Sequence, residues 1–235
     1  MIINPSTIFM NKKFFLAGTL VAMTSLSSCL TNLHNLVTYT NVVSDNRITG
    51  NWQHDDMTIK IETVPTSYFF KNMTSAKVNG EEKKSIYDSK EDSLLYSGSY
   101  IIDFTKNNYR YYMVCCLTRI GQDLYADMEP ITAEPVNKPT ASDIDNMFNG
   151  GNYTTTHSIA KLIFRGNELE LRMLNGDFIK EQLNNGTVAV KYEKDDLFST
   201  AVITSSSDEL RQFLTKYGND ERLYSSKNTI TLKKI

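Results

Sequence analysis

The chain is short of the residues that carry most metal and redox chemistry, with three cysteines, three histidines and one tryptophan in 235 residues. The histidines, His34, His54 and His157, are far apart, so no H-x-H or H-x-x-x-H spacing sets two imidazoles on one ion. His54 precedes Asp55-Asp56 and reads as part of a solvated turn, and His157 reads as a structural hydrogen-bonding residue at the start of a strand. Apart from Cys29, the cysteines form one adjacent pair, Cys115-Cys116. Neighbouring strand residues point to opposite faces, which keeps these two from bonding each other, so both read as small apolar core residues. No metal site and no cofactor is expected.

Charge of one sign is missing as well. A net charge of −2 leaves no basic stripe for nucleic acid, and the chain is neither acidic nor aromatic-poor enough to stay unfolded. There is no G-x-S-x-G elbow and no phosphate-binding glycine loop. The carboxylates fall in adjacent pairs, Asp55-Asp56, Glu81-Glu82 and Asp195-Asp196, whereas glycosidase chemistry needs two that face each other across several ångströms. Asp127 and Glu129 share a strand face and, with His157, are the residues a hydrolase could use, although a strand-end acidic pair reads as solvated. No catalytic residue is assigned, and the chain reads as a non-enzyme.

The last absence is a long hydrophobic run. Residues 14–26 are apolar and uncharged, which falls short of the about 20 residues a spanning helix needs but suits a signal peptide. Met10-Asn11-Lys12-Lys13 supplies the cationic start, so residues 1–9 read as an upstream start, and the run closes on Leu26-Ser27-Ser28-Cys29. This ending resembles the lipobox of bacterial lipoproteins. The resemblance implies cleavage between Ser28 and Cys29, with lipid, palmitate among its acyl chains, on the Cys29 that becomes the N-terminus. Several acyl chains on one residue give firm anchoring, since each buried CH₂ adds about 0.8 kcal/mol. No Asp follows the cysteine, which by the usual sorting rule favours the outer membrane, and the absence of an acidic surface-export tag favours its periplasmic face. The expected organisation is a signal peptide over 1–28, a lipidated N-terminus and polar tether over 29–45, and a single β-rich domain over 46–235.

What is abundant is aromatic, with 13 Tyr and 11 Phe, and alternation favours strands. Residues 58–64 alternate apolar and polar, a further strand begins at Tyr68-Phe69-Phe70, and Lys77-Val78 leads into an Asn79-Gly80 turn. Residues 94–104 and 109–120 read as a long hairpin whose second arm is covered on both faces, and 124–128 as a shorter strand. Residues 129–152 read as a crossover with a short helix over 140–148. Strands follow at 157–164, 168–174, 187–192, 198–204 and 229–232, with helical turns at 177–183. The best helix is 207–218, with Ser207 as capping candidate, Leu210, Phe213, Leu214 and Tyr217 as its apolar stripe and Gly218 as its stop. The fold class is mainly β, an antiparallel curled sheet or partial barrel with one clear helix and one or two short ones.

Gly50-Asn51-Trp52, ahead of the first clear strand, is similar to the glycine-x-tryptophan signature that opens lipocalin-like barrels. That resemblance implies a Trp closing the barrel base, although the arginine that usually packs on it has no evident counterpart. A broader pattern runs through Tyr112, Tyr125-Ala126-Asp127-Met128-Glu129-Pro130, His157-Ser158-Ile159-Ala160-Lys161-Leu162 and Glu209-Leu210-x-x-Phe213-Leu214-x-x-Tyr217. It resembles uncharacterised envelope lipoproteins of Bacteroidetes-type bacteria, a group that implies a location and a fold but no activity. Asp92-Ser93-Leu94 resembles the O-glycosylation motif of some exported Bacteroidetes proteins, which would place a glycan on Ser93. The expected function is a membrane-anchored, non-catalytic envelope lipoprotein that binds a small apolar or amphipathic molecule or another envelope component. A structural or assembly accessory of an envelope complex is the alternative, and a glycan-acting hydrolase using Asp127, Glu129 or His157 ranks third.

Overall fold

In the computed structural model the described residues are 31–68, 77–78, 81–82, 89–106, 108–136, 156–186, 190–195 and 200–235. Two short strands, β1 (Thr31–Asn32) and β2 (Val42–Val43), come first, followed by the pair β3 (Gly50–His54) and β4 (Met57–Thr63). A small hairpin of β5 (Lys77–Val78) and β6 (Glu81–Glu82) then precedes α1 (Lys90–Ser97). The long central strands are β7 (Tyr100–Lys106), β8 (Tyr109–Ile120), β9 (Asp123–Pro135), β10 (Ser158–Arg165) and β11 (Glu168–Leu174). After α2 (Gly176–Asn184) come β12 (Tyr192–Asp195), β13 (Thr200–Ile203), α3 (Ser207–Tyr217) and β14 (Tyr224–Lys234).

Eight of these strands form a closed antiparallel barrel. β3, β4, β7, β8, β9, β10, β11 and β14 each pair with the next in chain order, and β14 returns to β3. This is the up-and-down, lipocalin-like arrangement, and it removes the free sheet edges that a curled open sheet would keep. The closing seam is narrow, with register pairs Lys233↔Gln53 and Lys234↔Trp52, whereas β8 and β9 pair along twelve residues of β8.

Alternation decides what points inward. Ile59 and Ile61 on β4, Tyr100 and Ile102 on β7, Cys115 and Leu117 on β8, and Leu124, Ala126 and Met128 on β9 meet in one buried cluster. Ala160, Leu162, Leu169, Leu171 and Leu232 complete it from the other side of the barrel. An eight-stranded barrel is just wide enough for side chains to fill, and here they fill the half that starts at Trp52. The other half, toward the β7–β8 turn, is lined by the half-buried Phe104, Met113, Met173 and Ile230.

A second layer covers part of the outer wall. Outward-facing Cys116, Ile120, Tyr125 and Ile159 pack against Leu210, Phe213 and Leu214 of α3 and against Ile179 of α2. The small sheet β1–β13–β12 adds Ile203 to this core, and the N-terminal segment adds Leu36 and Val37. A third cluster, Val64, Ile101 and Tyr112, lies beside Tyr96 of α1. The expectation that β8 is covered on both faces holds for this reason.

Local chemistry explains where elements end. Ser206, not Ser207, caps α3: its hydroxyl accepts from Glu209 N, and Glu209 accepts in return from Ser206 N, a reciprocal capping box. Residues 94–97, expected as strand, are helical, because Ser89 caps α1 and Glu91 and Asp92 sit in its first turn. β9 runs to Pro135 where a crossover was expected from residue 129. Pro130 is tolerated because the β8–β9 register shifts between Tyr112 and Met113, so it falls at a bulge. The last strand spans Tyr224–Lys234, well beyond 229–232. Tyr68 is exposed and not in a strand, and Phe69, Phe70, Asn79, Gly80 and the helix expected at 140–148 lie outside the described residues.

Candidate functional site

The Gly-x-Trp signature builds the base of the barrel. Trp52 is 2% exposed, and its Nε1 donates to the Ile48 carbonyl at 2.8 Å, tying the ring to a 3-10 turn (Asn46–Ile48) that leads into β3. Lys234, the last residue of β14, carries its ammonium 5.2 Å from the Trp52 ring centroid. A lysine at the opposite terminus therefore supplies the cation for which no arginine could be placed. Gly50 makes this possible: its φ is +128°, and a Cβ there would sit 3.1 Å from Lys234 Cε. Beside it, Arg47 lies 4.2 Å over the Phe164 ring while its guanidinium also holds Asp45 at 2.6 Å.

The hydrolase candidates converge, but on the outer wall and around main chain. Asp127 is 3% exposed, so the expectation of a solvated acid does not hold. Its Oδ2 accepts from Leu36 N at 2.6 Å and Val37 N at 3.2 Å, and its Oδ1 lies 2.9 Å from His157 Nδ1. His157 also exchanges two main-chain hydrogen bonds with Asn32, at 2.9 and 2.8 Å. Its structural reading is borne out by these contacts, which together clip residues 32–37 to β9 and β10.

The electrostatics fit a clip. Burial alone would lower the His157 pKa, but the Asp127 hydrogen bond and the Asp127 and Glu129 charges outweigh it and the net shift is upward. Burial raises the Glu129 carboxyl, with Asp127 pushing the same way and His157 opposing. Cys116 faces this cluster with its Sγ 3.0 Å from Ser99 Oγ, and burial pushes its thiol up to about 12. A thiol so buried stays protonated and is no nucleophile at neutral pH. Every oxygen of Asp127 is engaged, so the carboxylate holds chain.

The rim of the barrel has a different character. Phe104 and Tyr111, opposite each other on β7 and β8, stack with centroids 5.2 Å apart, and Tyr109 lies 6.5 Å from Tyr111. Ile131 and Val136, on and just after β9, are exposed near the same end. Two hollows of about 420 and 440 Å³ lie along β3, β4, β7 and the start of β8, among Asn51, Thr58, Lys60, Glu62, Asp103 and Arg110.

The remaining predicted positions are dispersed. Cys29 and Ser28 lie outside the described residues, and Ser93 sits half-buried within α1 with its amide bonded to Ser89 O. His54 Nδ1 lies 3.0 Å from Thr231 O across the seam, and Asp55-Asp56 form the β3–β4 turn. Cys115 points into the lumen and Cys116 out of it, both unpaired. Among the described residues no three His, Cys, Asp or Glu side chains gather as a metal site, and no helix is long and apolar enough to cross a membrane. Sequence reading missed Lys234 and the capture of Leu36 and Val37 by Asp127, since both join residues 90 or more apart with no local signal. Comparison with protein-family models, curated proteins and solved structures finds no match to this chain.

Proposed function

We propose that the protein is a lipoprotein of the cell envelope, related to the Bacteroidetes-type group it resembles, cut before Cys29 and held by acyl chains at the periplasmic face of the outer membrane. Its barrel acts without catalysis, as a rigid body that engages another envelope component. The observation that carries the binding part is the filled base of the lumen, where Trp52, Tyr100, Leu117 and Leu169 occupy the space a deeply held ligand would need. The anchored part rests on Leu26-Ser27-Ser28-Cys29 behind a short cationic and apolar leader.

A second reading, a small amphipathic ligand held at the rim, is favoured by the half-exposed Phe104, Tyr109 and Tyr111. Cross-linking in intact cells, followed by native mass spectrometry of the protein from its own envelope, separates the two. A stable cross-linked protein and no lipid beyond the covalent anchor support the engaged-partner reading. A stoichiometric non-covalent small molecule with no protein partner supports the rim-ligand reading instead.

A further inference from the structure

We infer that the body is held flush against the bilayer by its own anchor, with the small sheet β1–β13–β12 and the start of β10 as the membrane-facing surface. The inference rests on acylation of Cys29. It follows from how soon after that cysteine the chain is fixed. Thr31 is already in register with Val202 and Asn32 with Ile203, in a parallel pair. Asn32 and His157 exchange two main-chain hydrogen bonds, and Leu33 N donates to Ile203 O at 2.9 Å. Leu36 N and Val37 N then close on Asp127 Oδ2. The expected tether is thus folded from Thr31 on.

Between Cys29 and Thr31 stands one residue, Leu30. Two Cα steps reach at most about 7 Å. The headgroup layer on one side of a bilayer is itself about 5–8 Å thick. A Cys29 whose acyl chains enter the hydrocarbon therefore leaves only about 7 Å of chain by which Thr31 can stand off from the anchored cysteine.

Register then says which residues come close. Glu193, Val202 and Thr31 lie side by side across the small sheet, so Glu193 is about 10 Å from Thr31, two interstrand spacings. Asn167, in the β10–β11 turn, is separated from His157 by the whole of β10, roughly 26 Å of strand. The charges near the small sheet are mixed: Glu193 on β12 is exposed, and Lys191 just before it is bound to Glu209 at 2.8 Å. Orientation is accordingly set by the covalent reach and not by attraction to anionic lipid.

The test uses full-length protein purified from its envelope and reconstituted into phosphatidylethanolamine–phosphatidylglycerol vesicles doped with headgroup-nitroxide lipid. A fluorophore is placed on Glu193→Cys or on Asn167→Cys; both native cysteines of the body are buried. Intact mass of the same sample reads acylation at Cys29. The expected result is several-fold stronger quenching at position 193 than at 167, unchanged in high salt, and collapse of that difference when a long Gly/Ser linker is inserted between Leu30 and Thr31. Equal quenching at the two positions in acylated protein with its native linkage overturns this inference alone. An unmodified Cys29 overturns the anchored reading, and the inference with it.

Discussion

Asp127 shows how one carboxylate can decide where a segment lies. Its two oxygens satisfy Leu36 N, Val37 N and His157 Nδ1, three donors brought from two distant parts of the chain. A buried donor left without its acceptor costs about 1–3 kcal/mol. Asp127→Ala should therefore lower stability in urea by on the order of 3 kcal/mol and expose residues 32–37 to proteolysis. Asp127→Asn retains an acceptor for the main chain and should lose less. His157 adds a pH dependence whose sign is fixed. Its pKa in the fold lies above the ordinary 6.5, so its stabilisation is complete below 6.5 and is lost as pH rises through the higher folded value. Glu129, also raised, has the same sign in a window that opens near 4.5. Urea titrations across neutral pH should show wild-type stability falling with pH, and His157→Gln should flatten that slope. A slope unchanged in His157→Gln would remove His157 from the account.

At the level of elements, the junction between α3 and the barrel is set by a glycine. The Gly218 carbonyl accepts from Lys161 Nζ at 3.2 Å and Tyr224 Oη at 3.0 Å, and Tyr224 Oη lies 3.0 Å from Tyr125 Oη. A Cβ at Gly218 would collide with Tyr125 Oη and with Leu214 O. Gly218→Ala should cost about 1–3 kcal/mol, and Tyr125→Phe in that background should recover part of it, which a double-mutant cycle by thermal or urea unfolding would read. The stop at Gly218 was legible from sequence, because a glycine after an apolar stripe signals a helix end. The reason it must be glycine was not, since Tyr125 arrives from 93 positions away along the chain. The same division holds elsewhere. Strands β4, β10 and β11 are legible from alternation and turn residues, whereas α1 lacks a clear apolar stripe and its second half, residues 94–97, reads as strand. The far half of β9 was hidden by Pro130 and Pro135, since a bulge that excuses a proline depends on the partner strand. Gly50 and Trp52 could be picked out, but their cation could not, because Lys234 closes the barrel from the other terminus.

For the whole molecule, closure of the barrel and capture of the N-terminal segment belong together. β14 shuts the barrel against β3 at the base, and the second layer of α2, α3 and the small sheet binds residues 31–37 to the opposite wall. In the sequence only Leu30 stands between Cys29 and the first residue of the folded body. On the proposed reading, that arrangement would suit a body anchored at a membrane surface. Asp127 and His157, two of the residues that could have suggested hydrolysis, hold residues 32–37 to the barrel wall. Location is thus the property on which the proposed function depends. The most direct test is the intact mass and N-terminal sequence of the mature protein extracted from its own envelope. The expected result is a chain that begins at Cys29 and carries the added mass of a diacylglyceryl group with a further acyl chain, and a Cys29→Ser variant that is released from membranes. A mature chain that begins elsewhere, or an unmodified Cys29 in membrane-bound protein, would contradict it.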